Sequence, residues 1–336
     1  MTTPIGSIGR MARALALAGT VACGRFPGQL RSPSEIWLVP APGEIADAGD
    51  RDSFAPPGTI RIVIDSLGLR PSVEYRASIT TSPRALGALT RSVAVVTTFQ
   101  NGRYHPETIR ALGENSGVAA ASAGASMRLA SADSPAAVIL DFLGATHEDL
   151  AALMNVTRAF ADSARGRSLG PLGIVVPAGD TVSYPGHVLA RSADLIVIRL
   201  YDEHRPGTPP GPLASPDWLS RHVGMRAARI GASRIVAELP LFGYRWERDG
   251  TARRITYSDA IALVARDAGA LRRDEASGFL TASSARDGWE IWIGDLTTVE
   301  RLIASARKVG VTRFALAGLS GADPALLSRV AVMMGR

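Results

Sequence analysis

Eight short runs of branched apolar residues punctuate this chain, and their recurrence constrains the fold more than any other feature. They fall at 35–40, 59–65, 92–99, 136–142, 173–178, 194–202, 234–243 and 312–321. Most carry Val, Ile and Leu without polar alternation, the pattern of parallel strands buried on both faces. Helical patterns lie between many of them. The segment 105–117 opens on Pro-Glu and closes on glycine; 146–166 offers Thr146 as cap, acids in its first turn and Gly166 as stop. The segment 295–310 repeats the design, with Thr297 or Asp295 as cap. Eight buried strands alternating with helices predict an α/β fold, a (β/α)8 TIM barrel. An open doubly wound sheet is the rival, but no Gly-rich phosphate loop follows any run. Residues 244–293 exceed what a connection needs and predict a small α+β insert with one helix and one short strand, between strand seven and the last helices. The Pro/Gly-rich stretch 205–218 reads as an ordered surface loop above strand six.

The ends and the charge narrow the setting. A start with two arginines and no acid precedes a nine-residue apolar segment, Ala14 to Ala22, too short to span a bilayer. Cys23, the only cysteine, follows at once. Residues 1–22 therefore read as a signal peptide of lipoprotein type, with Cys23 the lipidated residue, 23–34 a linker and 35–336 the barrel domain. Thr20 stands where such signals usually carry leucine. The expected location is exported, anchored to a bacterial membrane through that lipid alone and facing periplasm or exterior. Net charge is +6, carried by scattered arginines with Lys308 the sole lysine. There is no compact basic stripe with interleaved aromatics, so nucleic acid is not an expected partner. The five histidines are dispersed, and no spacing suggests a metal or cofactor.

In this architecture the working site lies at the C-terminal strand ends. The candidates there are Asp65, Phe99, Asp141, Tyr201, Asp202, Glu238, Tyr244 and Trp246. Because strand side chains alternate, Ile139, Asp141 and Leu143 should point together toward the barrel mouth and Phe142 away. The run AAVILDFL (136–143), the later IRLYDEH, RIVAELPLFGYRW and the closing WEIWIGD…FALAGLSGADP resemble, in order, glycoside hydrolase family 18, the chitinase-like barrels. The family's strand-four motif is D-G-x-D-x-D-[FYW]-E, and Asp141-Phe142 match its sixth and seventh positions.

That resemblance implies hydrolysis of β-1,4-linked N-acetylglucosamine with the sugar's own acetamide as nucleophile. The motif's final Glu protonates the leaving oxygen, its neighbouring Asp orients the acetamide, the strand-six Tyr bonds the acetamide carbonyl, and a strand-eight Trp floors the subsite. Here the acid position is Leu143, the earlier aspartates are Ala136 and Ile139, Arg199 or its neighbour replaces a methionine, and Ala317 replaces the Trp. The resemblance thus implies a barrel that keeps Asp141 but has lost its proton donor. Its expected partner is a glycan: chitin-like, peptidoglycan or an N-acetylated exopolysaccharide. Phe99, Tyr201, Asp202, Glu238, Tyr244 and Trp246 are the candidate glycan contacts. Plainer readings stand beside these. Asp141 can cap backbone amides, Tyr201 and Asp202 can pin the following loop, Tyr244 and Trp246 can be core of the insert, and Glu238 can pair with a rim arginine. Two alternatives stay open: an active glycosidase using Glu238 or Asp65 as acid, and a structural envelope protein with a plugged barrel.

Overall fold

The computed structural model describes residues 35–42, 59–76, 90–267, 269–326 and 329. Cys23, the signal segment and the linker lie outside them. The chain opens with β1 (Glu35–Val39), β2 (Ile60–Ile64), β3 (Pro71–Arg76), β4 (Thr90–Ser92), β5 (Ala94–Thr97), and the hairpin β6 (Phe99–Gln100) and β7 (Arg103–Tyr104). Helices α1 (Pro106–Glu114) and α2 (Ser116–Ser131) follow, then β8 (Val138–Asp141), α3 (Leu150–Gly166), β9 (Leu172–Pro177), α4 (Gly186–Leu189), β10 (Leu195–Arg199), α5 (Pro216–Ile230) and β11 (Ile235–Pro240). The insert holds β12 (Gly243–Glu247), β13 (Ala252–Ile255), α6 (Tyr257–Arg266), β14 (Arg272–Arg273), β15 (Leu280–Ser284) and β16 (Trp289–Ile293); α7 (Leu296–Lys308) and β17 (Arg313–Ala317) close the chain.

Each of the eight apolar runs contains one parallel strand, and these curl in barrel order through β2, β5, β8, β9, β10, β11, β17 and β1. Their side chains are buried almost throughout, as strands covered on both faces must be. The strands that would close the barrel, β1 and β2, share no ladder among the described residues. Antiparallel β3 takes the free edge of β2 and the short β4 that of β1. A side-chain bond does cross here, from Oγ1 of Thr59, the residue before β2, to the Leu38 carbonyl of β1 at 3.2 Å.

Local chemistry places the helices. The segment 105–117 becomes two helices, because Asn115 leaves the helical region and its Oδ1 accepts the Gly117 and Val118 amides, capping α2. Thr146 opens a short 3-10 turn ahead of α3, and Asp149 reaches back to the Thr146 amide at 2.8 Å. Asp149 also takes Arg110 of α1, which holds its carboxyl below the usual range. Asp295, not Thr297, caps α7 through the Thr298 amide. The insert is a five-stranded antiparallel sheet, richer than one helix and one strand, with α6 on its small apolar core. No helix among the described residues is long and apolar enough to cross a membrane.

Candidate functional site

Strand β8 delivers Asp141 into the barrel. Ile139 and Asp141 line one interior cavity with Val95, Val175 and Val197, while Phe142 turns outward onto Phe160 of α3, ring centroids 5.6 Å apart. Leu143, in the turn after β8, is 8% exposed and belongs to the main apolar core.

The centre of the barrel belongs to Arg199, at the end of β10. The residue is 5% exposed, between Asp141 at 5% and Glu238 at 3%. Nη2 donates to Asp141 Oδ1 at 3.0 Å, and Nε lies 3.5 Å from Glu238 Oε2. That second contact is an ion pair without hydrogen-bond geometry, since neither atom has a hydrogen-bond partner. Arg199 and Glu238 face each other in the β10–β11 register, so adjacent parallel strands put them side by side. Tyr104, brought in by the β6–β7 hairpin, donates its hydroxyl to Asp141 Oδ2 at 2.9 Å and accepts from Arg199 Nη1 at 2.5 Å. Tyr201 donates to Glu238 Oε1 at 3.1 Å. The guanidinium carbon lies 5.8 Å and 5.3 Å from the Tyr104 and Tyr201 ring centroids.

The electrostatics follow from one cation serving two carboxylates in a water-poor interior. Burial raises the Glu238 carboxyl above its usual value, against the opposing pull of Arg199. Burial also raises both tyrosine hydroxyls, which remain protonated donors. Burial disfavours charge on Arg199, but Asp141 and Glu238 outweigh it and hold the guanidinium well above its usual value. The space left among these groups is about 10 Å³, the scale of one water molecule.

The other candidates sit around this plug. Glu238 pairs with an arginine inside the barrel and not at the rim, because its strand position faces Arg199. Tyr201 bonds Glu238, and it is Glu203 that pins the following loop, through the Ser215 hydroxyl at 2.9 Å and the Ser215 amide. Asp202 is half-buried, and burial raises its carboxyl. Tyr201, Phe242, Tyr244 and Trp246 form an edge-to-face series with centroids 5.2, 5.8 and 5.7 Å apart. Trp246 is 1% exposed and donates its indole N–H to the Thr208 carbonyl, so the 205–218 loop covers it. Tyr244 and Phe99 are half-buried, and Phe99 meets Tyr104 edge-on at 4.9 Å. Asp65 accepts the Leu67 amide at 2.8 Å and caps the β2–β3 turn. Above Ala317, a side chain at position 318 would meet Arg254 at 2.4 Å; that guanidinium lies 4.2 Å from the Phe242 centroid.

Tyr104 and Arg254 were not among the sequence candidates. For Tyr104 the signal is present: Asn101-Gly102, both at positive φ, form a tight hairpin turn that sets Phe99 opposite Tyr104. Nothing comparable marks Arg254.

No family model matches the chain. A curated relative, the uncharacterized glycosylase YvbX of Bacillus subtilis (strain 168), is 24% identical over 193 residues, 53% of this chain and 56% of that protein. The match therefore spans little more than half of the relative's length. Among solved structures, a chitinase from Chromobacterium violaceum ATCC 12472 is similar with a TM-score of 0.68 at 20% identity, covering 90% of this chain and 99% of that one. A class V chitinase from Nicotiana tobaccum, a mutant in complex with NAG4, reaches 0.65 at 14% identity, covering 90% and 99%. At these identities the likeness is one of fold.

Proposed function

We propose that this chain, which shares its fold with the chitinases, is a non-hydrolytic member of that architecture: an exported, lipid-anchored scaffold of the cell envelope that meets N-acetylglucosamine-containing glycans only at its rim. One observation carries the reading: both Asp141 oxygens are taken by Arg199 and Tyr104, and the space left beside them is about 10 Å³, too small for an acetamide to enter.

Acetamide-assisted hydrolysis needs a proton donor for the leaving oxygen and an aspartate free to hold the acetamide. Leu143 has no proton to give, and general acid catalysis is typically worth about 10²–10⁴-fold. Both Asp141 oxygens already accept hydrogen bonds, Oδ1 from Arg199 and Tyr104 and Oδ2 from Tyr104. A relocated acid fares little better. Asp65 is committed to a turn, and Glu238 faces Arg199 and Tyr201 in a buried cluster. What stays reachable is the rim, where Phe99, Asp202 and Tyr244 are half-buried. The tobacco chitinase's NAG4 complex supports a glycan as the class of ligand on this fold.

The test is turnover by purified protein on chromogenic N-acetylglucosamine oligomers. The expected result is background hydrolysis in the parent, in Asp141→Asn and in Glu238→Gln alike. Turnover that Asp141→Asn abolishes would overturn the reading, and turnover that only Glu238→Gln abolishes would move the acid to Glu238. Sedimentation with insoluble chitin or peptidoglycan, parent against Tyr244→Ala, reports on the rim: retention lost in the variant is expected.

A further inference from the structure

A second feature lies away from the barrel mouth, between the loop after β9 and the last turns of α5. Arg226 of α5 is 3% exposed. Its Nη1 donates to the Tyr184 carbonyl at 2.9 Å, and Nη2 to the carbonyls of Pro177 at 2.6 Å and Asp180 at 2.9 Å. Its Nε has no hydrogen-bond partner. Every acceptor is a neutral carbonyl. The nearby Asp180 carboxylate spends Oδ1 on the Val182 and Ser183 amides. Burial pulls the guanidinium down to about 10, with Asp180 the one charge opposing it. Buried charges in proteins are ordinarily paired, and among the described residues this one forms no ion pair with a carboxylate.

A cavity of about 50 Å³ opens beside it. Arg226, Arg229, His187 and Thr181 supply its polar lining, and Met225 and Ile230 an apolar wall; no acid lines it. Arg229 and His187 are exposed, and among the described residues neither makes an ion pair or side-chain hydrogen bond. The volume corresponds to roughly four waters, which matches the heavy atoms of a carboxylate or phosphate group.

We infer that this cavity is a binding site for a small oxyanion, a carboxylate or phosphate group, with Arg226 as the buried counter-charge and Arg229 as the donor at its mouth. Three of Arg226's five N–H groups serve carbonyls, so its share is the buried positive charge and the two hydrogens still free, on Nε and Nη1, while Arg229 keeps its whole guanidinium for the ligand. The apolar wall lets the anion carry a short hydrocarbon substituent. The site is separate from the barrel interior and does not depend on whether the mouth binds glycan.

The experiment is isothermal titration of the full chain, at constant ionic strength, with inorganic phosphate and separately with propionate. Saturable one-to-one binding of at least one probe is expected, and which probe binds identifies the oxyanion. Arg229→Gln should weaken it by about tenfold or more, the scale of one charge-assisted hydrogen bond. Because Arg229 is exposed and unpaired among the described residues, that variant should unfold at the parent's temperature without ligand, and at one anion concentration the midpoint should rise more in the parent than in the variant. No saturable binding by either probe, or equal affinity in parent and Arg229→Gln, overturns the inference.

Discussion

Arg199 is the residue whose removal should cost most. Replacing it with methionine would leave Asp141 and Glu238 buried without their cation, and breaking a buried ion pair costs about 3–5 kcal/mol. Denaturant unfolding of Arg199→Met at neutral pH should show that loss, and the Glu238 share of it should shrink in acid, where that carboxyl is protonated. Glu238 tests the same cluster in the other direction. Its carboxyl is raised in the folded state, so the folded chain holds that proton more tightly than the unfolded chain. The stability it contributes is full below the ordinary glutamate pKa of about 4.3 and is lost as pH rises through the raised value. Glu238→Gln cannot titrate and still accepts from Tyr201. Its urea midpoint should therefore fall less than the parent's between acid and neutral pH; parallel curves would contradict the assignment.

At the scale of elements, the insert's own sheet depends on a close approach at Gly243, the first residue of β12. A β-carbon there would lie 2.0 Å from the Trp292 carbonyl oxygen and 2.8 Å from the Ile293 Cα, both backbone of β16. Gly243→Ala must push the two strands apart, a loss of about 1–3 kcal/mol. Thermal unfolding would measure it, and tryptophan emission from Trp246, Trp289 and Trp292 should shift as the strands part. The same elements mark what a sequence makes legible. The eight parallel strands were readable because both their faces are buried, which writes an unbroken apolar run. Phe142 outward and Asp141 inward followed from alternation alone. The Arg199 plug did not, because its partners come from strands 58 and 39 residues away, and charge in a sequence does not say which side of a strand it faces. The short strands of the insert carry polar residues on their open face, so only β16 stood out.

At the scale of the molecule, the seam between β1 and β2 is the weak line of the sheet among the described residues. Three-residue β4 guards one side and antiparallel β3 the other, whereas β8 to β11 are laddered on both edges. Amide hydrogen exchange should release β3 and β4 well before β8–β11, since local opening follows the number of shared ladder bonds. Equal protection across the sheet would show the seam to be closed. The plug at the centre has a different consequence, for how such a chain can change over time. Leu143→Glu alone would bury an acid in the apolar core while Asp141 is still held by Arg199. Arg199→Met alone would strand two carboxylates before any ligand could use them. On the non-hydrolytic reading proposed above, each of these single steps costs stability before the pair could gain an acid and an open pocket, so the central arginine works as a ratchet.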